Sequence, residues 1–243
     1  MQKKVVRVLI ALTLITSVLP LCQPAQAQRA RFAGSRGTAV GYNSQGQYGQ
    51  RMGLRAAGTN GGRLGLRGGS YTGPNGGTAA TAGGTAYMPG VGGIHASGSQ
   101  GQTAAGGAWQ RGGATAWQNG VGGAHASQFN GTTANGGAAS RNSNWQYQNG
   151  VGGSANRDFN ATSASGASAS GYKTNNYDAT TGTGTATKGR DYTSKDGNTY
   201  GYDSTTAYTK GEGAQKTIET QNKGDYTIDY SKGSKPVVTP TPQ

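Results

Sequence analysis

The chain has 243 residues, of which 46 are glycine and one is cysteine, with a formal net charge of +13. Hydrophobic residues make up 32% and charged residues 13%. This composition argues against a large aliphatic core and a disulfide framework, and two histidines with one thiol leave little for metal or nucleophile chemistry.

Residues 1–27 form the first element. Lys3, Lys4 and Arg7 precede an apolar run from Val8 to Leu21, and Ala25-Gln26-Ala27 offers small residues at the two positions a signal peptidase reads. That run is about 14 residues long, whereas a bilayer span takes roughly 20. The pattern predicts a cleaved signal peptide, a mature chain from Gln28, and export to the periplasm, cell surface or extracellular space. Cys22 lies inside this segment, and Leu21 occupies the position where a lipidation site wants Gly or Ala. No second apolar run follows, so no transmembrane segment is expected in the mature chain.

Residues 28–72 are rich in arginine and glycine, with Leu54, Leu64 and Leu66 among the few apolar points. Glycines interrupt every helical window. The segment reads as a flexible cationic arm, although Leu64 and Leu66 around Gly65 alternate as one short strand would. From Gln28 to Arg157 there are ten arginines and neither acid nor lysine; from Asp158 onward eight lysines and Arg190 balance nine acids. The excess charge therefore sits in the first part of the chain, which points to a polyanionic partner. Arginine pairs bidentately with phosphate and carboxylate, so the candidate binding residues are Arg29, Arg31, Arg36, Arg51, Arg55, Arg63, Arg67 and Arg111. The partners this chemistry fits are anionic polysaccharide, lipopolysaccharide or extracellular DNA.

Residues 73–182 repeat at a spacing of 30. Gly90-Val91-Gly92-Gly93 recurs at Gly120-Val121-Gly122-Gly123 and Gly150-Val151-Gly152-Gly153. An aromatic ladder, Tyr87, Trp117, Tyr147 and Tyr177, keeps the same register, and His95 corresponds to His125. A weaker half-period shows in the glycine pairs, which fall 14 to 16 residues apart. A fixed period of this size marks a repeat array. The unit from Asn119 to Gln148 offers only Val121, Phe129, Trp145 and Tyr147 as large buriable groups. At about 1.5–3 kcal/mol each, they cannot order 30 residues at roughly 1–2 kcal/mol apiece. Units must share backbone hydrogen bonds with their neighbours. The expected fold is all-β and repetitive, a β-solenoid or a β-meander, with a substantial disordered fraction. In a stacked array the two histidines would lie side by side, a weak metal site without a carboxylate or thiolate nearby. No metal or cofactor is expected.

Residues 183–235 turn to Thr, Tyr and Lys. Tyr226, Ile228 and Tyr230 alternate on one strand face, and Asp196-Gly197 is a hairpin signal. Gly211-Glu212-Gly213 and Lys223-Gly224-Asp225 mark further turns. Three to five antiparallel strands are expected here. The tail, 236–243, with Pro236, Pro240 and Pro242, reads as extended and disordered.

The arginine-rich part has no carboxylate and cannot form an acid/base pair internally, so an enzyme is not expected and no catalytic residue is assigned. Tyr177-Asp178-Ala179-Thr180-Thr181-Gly182, with the repeat style of residues 73–235, resembles the broad class of Gly-rich repetitive proteins exported by Gram-negative-type bacteria. Curli-type amyloid subunits are similar in Gly, Gln and Asn content, but their repeats are shorter. The resemblance carries no site residues across. The expectation is a non-enzymatic secreted structural or adhesive protein of the bacterial cell envelope or biofilm matrix. The alternatives are a self-assembling fibril subunit and an extracellular carbohydrate-binding accessory protein.

Overall fold

The computed structural model describes residues 32–42, 48–58 and 60–241. Over them the chain is one antiparallel sheet of 15 strands, each paired with the strands before and after it in sequence. The strands are β1 (Phe32–Tyr42), β2 (Tyr48–Gly58), β3 (Arg63–Thr72), β4 (Thr78–Met88), β5 (Gly92–Gln102), β6 (Ala108–Gln118), β7 (Gly122–Thr132), β8 (Ala138–Gln148), β9 (Gly152–Thr162), β10 (Ser168–Asp178), β11 (Thr183–Thr193), β12 (Thr199–Thr209), β13 (Gly213–Thr220), β14 (Asp225–Ser231) and β15 (Val237–Thr241).

The period has a simple geometric content. Two 11-residue strands, a turn of three residues and a turn of five make one repeat, so the 30-residue unit is one up-and-down pair of a meander, and no solenoid coil forms. The half-period is one strand with its turn, alternately 14 and 16 residues long. Equivalent residues of successive units therefore stand two strands apart, roughly 9.5 Å, with a strand of the other type between them.

Glycine placement sets the two turn types. In the five-residue turn 103–107 the Thr103 N–H donates to the Gly107 carbonyl (2.8 Å), and the Gly106 N–H to the Thr103 carbonyl (3.0 Å). The Gly107 N–H also donates to Thr103 Oγ1 at 3.0 Å, a bond repeated from Gly137 to Thr133 Oγ1 at 2.9 Å. In the three-residue turn Gly120 has φ +75° and Gly122, which opens β7, has φ +152°. A Cβ on Gly122 would collide with the Tyr147 carbonyl oxygen. Successive turns of this type then bond to each other: Asn119 N–H to Val91 O (2.8 Å), Asn149 N–H to Val121 O (2.6 Å) and Ala179 N–H to Val151 O (2.9 Å). The Gly-Val-Gly-Gly block is thus a turn that hydrogen-bonds to its own copy in the next unit.

The sheet is a single layer. Among the described residues, Ile218 is the one buried large hydrophobic side chain. The other buried positions are Ser204 and glycines such as Gly92, Gly107, Gly171 and Gly189. Cohesion comes from the backbone ladder and from side chains laid across it.

Several expectations change. Within 28–72, read as a flexible arm, the described residues form β1, β2 and β3, paired to each other and to β4. The proline-bearing tail, read as disordered, adds β15 beside β14, with Pro240 opposite Tyr226. The 183–235 segment holds four strands, β11 to β14, within the expected number. Residues 1–27, read as a signal peptide, lie outside the described residues.

Candidate polyanion-binding face

Side chains alternate between the two sides of a strand, so the ladder register assigns each one to a face. Tyr87, Trp117, Tyr147, Tyr177, Tyr208 and Tyr230 share one row, separated on the intervening strands by Gly93, Gly123, Gly153, Gly184 and Ala214. Each ring has room to lean over a position that lacks a large side chain. A Cβ on Gly93 would stand 2.5 Å from Trp117 Cζ2, and one on Gly184 would collide with the Tyr208 ring. Leaning brings rings two strands apart into contact: Tyr87 and Trp117 stack with centroids 6.5 Å apart, and Tyr177 and Tyr208 at 6.3 Å. The predicted aromatic ladder is thus a single row extended by Tyr208 and Tyr230. Trp109, Phe129, Trp145, Phe159, Tyr192, Tyr200 and Tyr202 stand on this face too.

The basic side chains follow the same parity. From β2 to β13 every strand arginine and lysine lies on the aromatic face: Arg51, Arg55, Arg63, Arg67, Arg111, Arg141, Arg157, Lys173, Lys188, Arg190 and Lys216. All but Lys216 are exposed. The strand acids take the opposite face: Asp158, Asp178, Asp191, Asp203, Glu219, Asp225 and Asp229. Polar contacts respect the division. On the aromatic face the Arg111 Nε–H donates to Ser99 Oγ (2.7 Å), Arg111 sits 5.8 Å from the Trp109 ring, and Lys188 Nζ sits 5.5 Å from the Tyr202 ring. On the other, Asn142 donates to Asp158 (2.8 Å), Gln215 to Asp229 (2.9 Å) and the Tyr172 hydroxyl to Asp203 (2.7 Å). The bond to Asp203 holds the Tyr172 phenol above its usual 10.0, with partial burial and the charges of Asp203, Asp191 and Glu219 adding to it.

Among the described residues, the ion pair within 4.0 Å is Lys195 with Asp196, adjacent residues in a turn. The strand cations face solvent without a carboxylate partner. Aromatic rings and unpaired guanidinium and ammonium groups share one exposed surface, an arrangement that can offer stacking and positive charge together.

Of the residues singled out in the sequence, Arg51, Arg55, Arg63, Arg67 and Arg111 lie on this face, as does the aromatic ladder. Arg36 pairs with Leu54, whose neighbour Arg55 is on the aromatic face, so the register puts position 36 on the other face and takes it out of this set; Arg29 and Arg31 lie outside the described residues. The candidate list omitted Arg141, Arg157, Lys173, Lys188, Arg190 and Lys216. For Arg157, Lys173 and Lys188 the signal is mirror symmetry about the turns: Arg157 and Lys173 stand equally far from the centre of turn 163–167, and so pair across it, while Arg141, Arg190 and Lys216 pair with no cation and show no such signal. His95 and His125 do share a row, but Thr115 stands between them, which corrects the expectation that they lie side by side. Each accepts or donates instead to a threonine, His95 Nδ1 to Thr85 Oγ1 and His125 Nδ1 to Thr115 Oγ1, both at 2.8 Å. Among the described residues no three of His, Cys, Asp and Glu cluster closely enough to hold a metal ion.

A shallow furrow crosses the end of β10 to β14 that carries turns 179–182 and 210–212, lined by residues including Asn176, Asp178, Thr185, Gln215 and Asp229. It is open, and what converges on it is acidic or neutral. In comparisons with known proteins, no family, no curated protein and no solved structure matches this chain.

Proposed function

We propose that this chain is a non-enzymatic structural or adhesive protein of the cell envelope or extracellular matrix, and that its aromatic face binds an anionic polymer. The observation that carries this reading is the segregation of strand charge from β2 to β14, cations on one face and acids on the other, with the cations unpaired. A basic surface that only maintains solubility has no need of one-sidedness. The signal-like residues 1–27 support export, and the single-layer sheet offers a long platform in place of a pocket: 15 strands at about 4.8 Å cover roughly 65–70 Å.

The rival reading, a fibril subunit that adds strands at its edges, meets Pro240 on the last strand. A proline withholds a backbone donor, and edge prolines hinder further pairing.

The test is equilibrium binding of the chain from Gln28 to polyuronate, lipopolysaccharide and DNA over a salt series. Binding is expected at low salt, with log affinity falling linearly with log salt. Absence of binding to every polyanion at low salt overturns the reading.

A further inference from the structure

We infer that the binding face contains a defined subsite on β8 to β11, formed by Arg141, Arg157, Lys173, Lys188 and Arg190 around Phe159, and that its ligand is an acidic polysaccharide lying across the strands. This rests on the polymer-binding reading and adds a location and a ligand class to it.

The register places Arg157, Lys173 and Lys188 directly opposite one another on three consecutive strands. Directly opposed residues have Cβ atoms about 4.5–5.5 Å apart, and like charges in that relation destabilise a sheet. Ser143 and Ser204 end the row on either side. Arg141 and Arg190 stand in the adjacent row, Arg141 beside Arg157 on β8 and Arg190 beyond Lys188 on the same strand. All five are exposed, and none has a carboxylate within 4.0 Å. Asp158 and Asp191 neighbour them in sequence but project from the other face, where Asn142 and Gln221 donate to them. The fold therefore holds five cations together at a cost in repulsion that a polyanion would remove.

The rings choose between anions. Phe159 stands in the row of Arg141 and Arg190, opposite Gly171. A Cβ on Gly171 would be 2.5 Å from Phe159 Cε1, so the half-buried ring leans over the glycine, between Arg141 and Arg190 in its row. An apolar ring among cations suits a sugar ring that bears a carboxylate. In an extended chain of uronic acids there is one carboxylate per sugar, a repeat on the order of the strand spacing of about 4.8 Å. The cation row and the strand stack run in the same direction, so such a chain would cross the strands and meet successive cations.

The experiment compares three probes, polygalacturonate, inorganic polyphosphate and oligothymidylate, on the chain from Gln28 and on two variants. In the triple variant Arg157→Gln, Lys173→Gln, Lys188→Gln, polygalacturonate affinity is expected to fall at least tenfold. Its log–log salt slope should shrink by roughly 2, and its urea midpoint should rise as repulsion is relieved. Phe159→Ala is expected to weaken polygalacturonate severalfold and leave polyphosphate, which has no rings, unchanged. Wild-type polygalacturonate affinity in the triple variant overturns the inference. So does a midpoint that falls along with binding, or equal loss of both polymers in Phe159→Ala. Tighter binding of oligothymidylate, weakened by Phe159→Ala, assigns the subsite to nucleic acid and also overturns it. If polyphosphate binds and the triple variant changes nothing, the subsite fails while the polymer-binding face stands; if no probe binds, both fail.

Discussion

At the scale of single residues, glycine does two different things in this chain, and substitution separates them. Gly122 has φ +152° and stands where a Cβ would collide with the Tyr147 carbonyl oxygen. Gly65, on β3, has no atom within 4 Å of where its Cβ would be. Gly122→Ala is expected to destabilise by about 1–3 kcal/mol or more, from strain and collision together. Gly65→Ala should be neutral or stabilising by about 0.4–1 kcal/mol, because alanine restricts the unfolded chain. Urea denaturation of the two variants checks this; equal losses would mean that the glycines serve only to keep strands flexible. The turn glycines were legible in the sequence, since Gly-Val-Gly-Gly repeats as a block. The glycines under the rings were not. Gly93 and Gly123 read as the second half of a turn pair until the register sets them beside Trp117 and Tyr147.

At the scale of elements, the unit is a strand pair, and the pairing decides what a segment becomes. Residues 28–72 and the tail look disordered in isolation, because glycine carries a large ordering entropy and proline lacks a donor. Both are nonetheless paired, β3 along its length to β2 and β4, and β15 to β14. A strand flanked by a ready ladder needs less intrinsic propensity than one that must start a sheet. The same logic predicts how deletions behave. Removing residues 108–137 takes out β6, β7 and their turns, and rejoins β5 to β8 through the same type of turn. A 13-stranded sheet with unchanged rows is expected, with cooperative unfolding in circular dichroism. Removing 108–121 deletes only β6 and its turn, and puts the Gly123 end of β7 at the wrong edge of the sheet. That variant should lose its stacked rows and unfold at markedly lower urea. Similar midpoints for the two deletions would show that the aromatic–glycine rows contribute nothing to the register.

At the scale of the whole molecule, the charge asymmetry turns out to have two dimensions. Along the chain the excess of arginine lies before Asp158; from β2 to β14, cations and acids part to opposite faces of the sheet. All three tryptophans, Trp109, Trp117 and Trp145, share the cationic face. Iodide should therefore quench their fluorescence more efficiently than caesium at low salt, with the difference shrinking as the Debye length falls from about 30 Å at 0.01 M to 8 Å at 0.15 M. Equal quenching by the two ions at low salt would contradict the segregation. The sequence by itself determined the period, the turns, the all-β class and the row of aromatics, because these are local: a repeated glycine, a repeated ring, an alternation two residues long. Tertiary structure alone decided between solenoid and meander, and with it which residues oppose each other. Cationic residues 15 or 16 positions apart, such as Lys173 from Arg157 and from Lys188, come face to face only when each turn reverses the chain and fixes the register. A one-residue slip in that register would send every side chain to the other face, so the two-faced charge of this protein resides in the pairing of its strands.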